Sequence, residues 1–227
     1  MDPSLVSLIA ASVAFVGSHF AMSHPLRPPL VRALGEKGFL AFYTLISLAT
    51  FAWMVFAFRA TEPYTLVAWT GDDEVSWTLA SLLTLVSLVL LLGSFAGNPA
   101  LPGVPAKAAA KAEAGGVYRV TRHPMMWAFA LWAIAHIAIA PTDRTLVLAG
   151  AILILALVGA HLQDRKKTEA HGEAWAAWSA KTSYWPKWGR ILTAGWGLWL
   201  AAAVLWVVFS WAHVWLAYVP AGIFRWM

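Results

Sequence analysis

Six blocks of apolar sequence, each near the length of a membrane span, decide what this chain can become. They run at roughly 4–23, 38–58, 76–96, 124–140, 145–162 and 193–219. A spanning helix needs about 20 predominantly apolar residues, with about 17 as the low end. The apolar residues come in blocks and do not alternate, so they predict helices and not strands. Hydrophobic residues make up 60% of the chain and charged residues 12%, where a soluble domain is about one quarter charged. The expected fold is all-α: a polytopic membrane helix bundle of six transmembrane helices, forming one domain over 1–227 with no repeat. The fourth and fifth blocks are short enough to need partial shielding by protein. The brief Pro141-Thr142-Asp143-Arg144 connection makes them an antiparallel hairpin. Met1-Asp2-Pro3 leads into the first block without a basic stretch or a convincing small-residue cleavage site, so 4–23 is expected to be a retained helix.

Lys and Arg set the orientation. Arg27, Arg32 and Lys37 follow the first block, and Lys107, Lys111, Arg119 and Arg122 precede the fourth. Arg165, Lys166, Lys167, Lys181, Lys187 and Arg190 precede the sixth. The alternate connections hold Arg59, Arg144 and Arg225 beside Glu62, Asp72, Asp73 and Glu74. The positive-inside rule then puts the three basic loops in the cytoplasm and both termini outside. The net charge of +5 belongs to this topology signal and gives no ground for a nucleic-acid partner. With no cysteine, disulfides, thiolate metal sites, iron–sulfur clusters and covalent c-type haem are excluded. Any metal or haem is held non-covalently, with histidine as the expected ligand.

Between the blocks, Gly97-Asn98-Pro99-Ala100-Leu101-Pro102-Gly103-Val104-Pro105 is too rich in breakers for helix. The Ala/Lys run at 106–114 is expected to form a short surface helix ended by Gly115-Gly116. The stretch Gln163 to Trp178 reads as an amphipathic segment lying on the membrane surface, with Trp175 and Trp178 three apart on one face. Most of the fifteen tryptophans read as an interfacial belt. Trp127 and Trp132, inside the fourth block, are candidates to wall a ligand pocket.

Functional candidates gather where a basic loop turns into an apolar helix, at Tyr118-Arg119-Val120-Thr121-Arg122-His123-Pro124. Thirteen residues beyond His123 lies His136, with only apolar neighbours. Ionisable groups inside a span are costly and point to function, so His136 and His19, in the first block, stand out. Each also has a plain alternative as a neutral imidazole bonded within the bundle. His24 sits at the boundary in Ser23-His24-Pro25-Leu26-Arg27, while His161, His171 and His213 are expected to be structural.

Together these motifs resemble the NnrU family: Ser23-His24-Pro25-Leu26-Arg27, Arg119-Val120-Thr121-Arg122-His123-Pro124, Ala135-His136 and Gln163-Asp164-Arg165-Lys166. The resemblance covers roughly 5–190. It implies a bacterial inner-membrane protein associated with nitrite and nitric oxide reduction in denitrification; the charge pattern then makes both termini periplasmic. The similar zeta-carotene isomerases imply a haem b cofactor, an enzyme acting on a polyene or other lipid-soluble substrate, and iron ligands falling on His19 and His136. Where the isomerases carry a cysteine three residues before the second ligand, this chain has Ala133, which removes a thiolate exchange. Depth along the helices groups His19 with His24, His123 and His161 instead, so both ligand sets remain open. Tyr118, Arg122-His123-Pro124, Glu169, Gly172, Trp175, Trp178 and Pro186 are more distantly similar to isoprenylcysteine carboxyl methyltransferases. That similarity implies S-adenosylmethionine bound against Arg122, His123 and Glu169. Under the haem reading, Arg122 is expected to grip a propionate in a two-pronged fork, helped by Arg165 from a Gln163-Asp164-Arg165 turn and with His123 beside it. Membrane lipids are the remaining expected partners.

Overall fold

A computed structural model describes residues 2–65, 69–99, 108, 111 and 113–227. Helices α1 (Pro3–Ser23), α2 (Arg27–Ala60), α3 (Glu74–Gly93), α4 (Pro124–Ile139), α5 (Asp143–His171), α6 (Glu173–Lys181) and α7 (Trp196–Leu216) are joined by turns and short 3-10 segments. The architecture is all-helical as expected; an isolated bridge between Thr65 and Thr142 is the one β pairing among the described residues. Five helices, α1, α2, α3, α5 and α7, are long and apolar enough to cross a membrane. The fourth block forms a helix of 16 residues, below the usual length of a span. The chain is thus a multi-pass membrane protein with five long candidate spans and a sixth, shorter apolar helix.

Two further expectations change. The fifth block does not end at Leu162: α5 runs on through Gln163-Asp164-Arg165 to His171, so the expected turn at 163–165 is helical. Nothing in 163–171 breaks a helix, and Gly172 is the first residue that does. Trp175 and Trp178 do share a face of α6, but that face is buried, at 1% and 0% exposure, and does not lie on a lipid surface. Trp178 packs edge-on against Tyr118 at 5.7 Å. The surface helix expected at 106–114 falls largely outside the described residues.

The chain packs as two compact units, 1–72 with 136–155 and 73–135 with 156–227. In the first, Asp2 caps α1 by accepting from the Ser4 amide at 3.2 Å, and Pro3 opens the helix, where its missing N–H costs nothing. Leu8 and Ala11 of α1 bury against Met54 and Ala57 of α2. The Trp53 indole donates to Ser7 Oγ across the same seam at 3.1 Å. Gly35 kinks α2 at φ 70°, ψ 167°, a backbone state that glycine adopts without steric cost. The basic residues Arg27 and Arg32 therefore stand on a separate helical piece, ahead of the apolar run. Arg144 donates to the Thr61 carbonyl at 2.7 Å and lies over the Phe58 ring at 4.8 Å.

In the second unit, Asp73 caps α3 by accepting from the Ser76 amide at 2.9 Å and the Ser76 hydroxyl at 2.6 Å. Those bonds hold its carboxyl below the ordinary carboxylate value. Ser87 of α3 donates to the Ala128 carbonyl of α4 at 2.7 Å, and Trp206 of α7 donates to Thr84 of α3 at 3.0 Å. Tyr118 donates to the Ser94 carbonyl at 3.1 Å, and burial pushes its phenol upward. Helix seams in an apolar setting thus close through small residues and single hydrogen bonds.

Candidate functional site

The second unit draws the basic corner onto the segment that follows α6. The Arg122 amide donates to the Ser183 carbonyl at 2.8 Å, and the Lys187 amide to the Val120 carbonyl at 2.8 Å. Thr121, fully buried, donates its hydroxyl toward the carbonyls of Ser183 and Tyr184, at 3.2 and 2.9 Å. Trp127 donates to the Tyr184 carbonyl at 3.0 Å and packs its ring against Trp185 and Trp188. These bonds fix where Arg122 and His123 emerge, ahead of α4.

Both side chains meet Asp164, two residues past the apolar part of α5. Arg122 closes its fork on the carboxylate, with Nε 3.0 Å from Oδ1 and 2.9 Å from Oδ2 and Nη2 on Oδ2. His123 donates through Nε2 to Asp164 Oδ1 at 2.8 Å, while its Nδ1 meets the Gln163 amide at 3.2 Å. The Arg122 and Asp164 side chains are 15% and 16% exposed and that of His123 1%, so this is an ion pair mostly withdrawn from water. Tyr184 lies beneath it, with the guanidinium 5.6 Å above its ring and the His123 ring edge-on at 5.6 Å. The Tyr184 hydroxyl donates to the Leu157 carbonyl at 2.8 Å. Burial raises its phenol above the ordinary value, the Asp164 carboxylate adds to the shift, and Arg122 opposes it.

Beside the ion pair opens a groove of about 870 Å³. Most of its wall is one face of α5: Leu157, Val158, His161, Asp164, Arg165, Thr168 and Glu169. These residues recur at spacings of three and four, as one helix face requires. Arg122, Tyr184 and Trp185 complete the lining. Of the sequence candidates, Arg122, His161, Arg165 and Glu169 line the groove. His123 is sealed behind Arg122 with both ring nitrogens engaged, and in this arrangement it braces Asp164 and faces no ligand. A propionate would meet an Arg122 fork already closed on Asp164.

His19 and His136 belong to the first unit. His19 donates from Nδ1 to the Phe15 carbonyl at 2.7 Å. Its ring is held by Phe15 at 4.4 Å and, edge-on, by Tyr43 at 5.4 Å. Nε2 makes no hydrogen bond among the described residues, so it carries an open lone pair. Ligating imidazoles are held this way, with one nitrogen tied back and the other presented. His19 thus has the arrangement that an iron-ligating imidazole needs. His24 and His213 make the same bond to the carbonyl four residues back, so the tie alone does not single His19 out. His136 is half-buried on α4, and imidazole there suits the same ligand set. No cluster of three or more His, Asp or Glu side chains is placed to hold a metal ion among the described residues; a two-imidazole haem site falls below that number.

Asp164 and Tyr184 are the site residues that the sequence reading left without a role. The one signal for Asp164 was its standing as the sole acid in the polar run 163–167. Tyr184 carried no signal beyond its aromatic neighbours.

No curated protein matches the chain, and no solved structure does. One family model does match, described as NnrU protein, over residues 7–221. That range reaches from α1 through α7 and takes in both His19 and His136 and the whole groove. The chain belongs to the NnrU family.

Proposed function

We propose that this protein is a haem b-binding membrane protein of the NnrU type, in which His19 and His136 would hold the iron. The observation that supports it is His19, whose Nδ1 is tied to Phe15, whose ring is fixed by Phe15 and Tyr43, and whose Nε2 is open. Bound there, haem would supply an iron able to accept one electron or take up nitric oxide. His19 would present a neutral nitrogen at a set angle, the two aromatic rings would keep water from it, and His136 would offer the second imidazole. Of two roles, nitric oxide- or nitrite-linked redox metabolism is favoured over cis–trans isomerisation of a polyene. Position 133 is a fully buried alanine and offers no sulfur for ligand exchange. The purified protein should show a Soret band that is lost or shifted in His19→Ala and His136→Ala. Wild-type spectra in both variants would remove the assignment.

The proposed setting is the bacterial inner membrane, with both termini periplasmic and the basic loops cytoplasmic. A periplasm-active reporter fused after Met227 should be active; activity of a cytoplasmic reporter there reverses the orientation.

A second reading, a membrane methyltransferase using S-adenosylmethionine, is favoured by one observation: Arg122 and Glu169 line the same groove. Calorimetry with S-adenosylmethionine, beside an anaerobic spectrum with and without nitric oxide, separates it from the haem reading.

A further inference from the structure

The groove face of α5 is ordered. Leu157 and Val158 come first, inside the apolar run, and His161 stands one turn later at its end. Arg165 follows in the first turn beyond it, and Glu169 one turn further. Arg122 and Asp164 cancel each other. Arg165 and Glu169 make no hydrogen bond or ion pair among the described residues. The groove thus offers an apolar floor, then an uncompensated cation, then an uncompensated anion, along one line. Arg165 and Glu169 are about 6 Å apart along the helix axis. Trp185, 68% exposed, lines the same groove, and an indole suits the level where headgroups begin.

We propose that this groove binds a zwitterionic phospholipid of the phosphatidylethanolamine type. An acyl chain lies along Leu157 and Val158, the phosphate takes the Arg165 fork with His161 beside it, and the primary ammonium reaches Glu169. Charge order selects this ligand. The phosphate of such a lipid stands next to the tails and the ammonium lies outside it, joined by a two-carbon bridge comparable to one helical turn. A phosphatidylglycerol headgroup, anionic at the phosphate and neutral beyond it, brings no cation to pair with Glu169. A zwitterion without a tail would leave Leu157 and Val158 uncovered. The proposal does not rest on the haem reading, since neither His19 nor His136 takes part; a colourless purified protein would leave it standing.

The test uses the full chain, delipidated in detergent and titrated with short-chain phosphatidylethanolamine, phosphatidylglycerol of the same chains, free phosphoethanolamine and S-adenosylmethionine. Phosphatidylethanolamine should bind about tenfold more tightly than phosphatidylglycerol, the scale of one charge-assisted pair. Glu169→Gln should erase that preference without weakening phosphatidylglycerol. Arg165→Gln should weaken both lipids about tenfold, and phosphoethanolamine alone should not compete. Both side chains are exposed and without a side-chain partner among the described residues, so the variants should keep the wild-type circular dichroism. Equal affinity for the two lipids, or an unchanged preference in Glu169→Gln, overturns the proposal. Saturable S-adenosylmethionine binding that displaces the lipid also overturns it and gives the groove to the methyl donor.

Discussion

Asp164→Asn removes one negative charge and little else. In the wild type that charge faces the Arg122 fork at 2.9–3.0 Å and the His123 Nε2 at 2.8 Å. Unit charges about 4 Å apart attract by about 4 kcal/mol at an effective dielectric of about 20. Removing one partner of a buried pair costs about 3–5 kcal/mol because the other is stranded. Asparagine keeps an acceptor oxygen, and the pair is about 15% exposed, so the expected loss is at the low end, about 3 kcal/mol. Unfolding in mixed detergent micelles, followed by tryptophan fluorescence, measures it. The decisive quantity is the coupling with Arg122→Gln: the double variant should be far less destabilised than the sum of the singles, by about 2 kcal/mol or more. A coupling under about 0.5 kcal/mol would mean that the ion pair does not hold the corner to α5, and the site geometry built on it would fail.

Gly71 sits at φ 70°, and a Cβ there would stand 2.5 Å from the backbone carbon and oxygen of Ile139; Gly71→Ala should cost about 2–3 kcal/mol by micellar unfolding, and a neutral result would disprove that close approach. Tyr184→Phe loses the bond to the Leu157 carbonyl and should cost about 1 kcal/mol. Because the folded Tyr184 phenol is raised above 10.0, its contribution is fully present below that pH and is lost as pH rises through the folded value. Phenolate absorbance should accordingly show one late-titrating tyrosine fewer in the variant.

The bundle was legible from the sequence because lipid demands long uninterrupted apolar blocks, and little else produces them. The end of α5 is not, because 163–171 changes in polarity while keeping helical propensity, and polarity alone suggests an exit from helix. Trp175 and Trp178 read as interfacial from their spacing. Trp178 is covered by Tyr118, more than fifty residues earlier, which no local pattern reveals. Arg122 was identified as a fork in search of a carboxylate. That the carboxylate is Asp164 of the same chain, 42 positions on, follows only once the corner, α5 and the 183–187 segment are folded together. His19 and His136 stand out in the sequence because ionisable groups inside a span are costly; the haem role given to them is the proposal above.

The brevity of α4 has a consequence for the membrane itself. Its 16 residues rise about 24 Å, against a hydrocarbon core of about 30 Å. Polar groups at both ends, Arg122 and His123 before Pro124 and Thr142 and Asp143 after Pro141, prevent the helix from extending into lipid. Hydrophobic mismatch of this kind is relieved by thinning the bilayer, at a cost that grows with each ångström. The expected outcome is that stability to unfolding, measured in bilayers of graded acyl-chain length, falls as the chains lengthen.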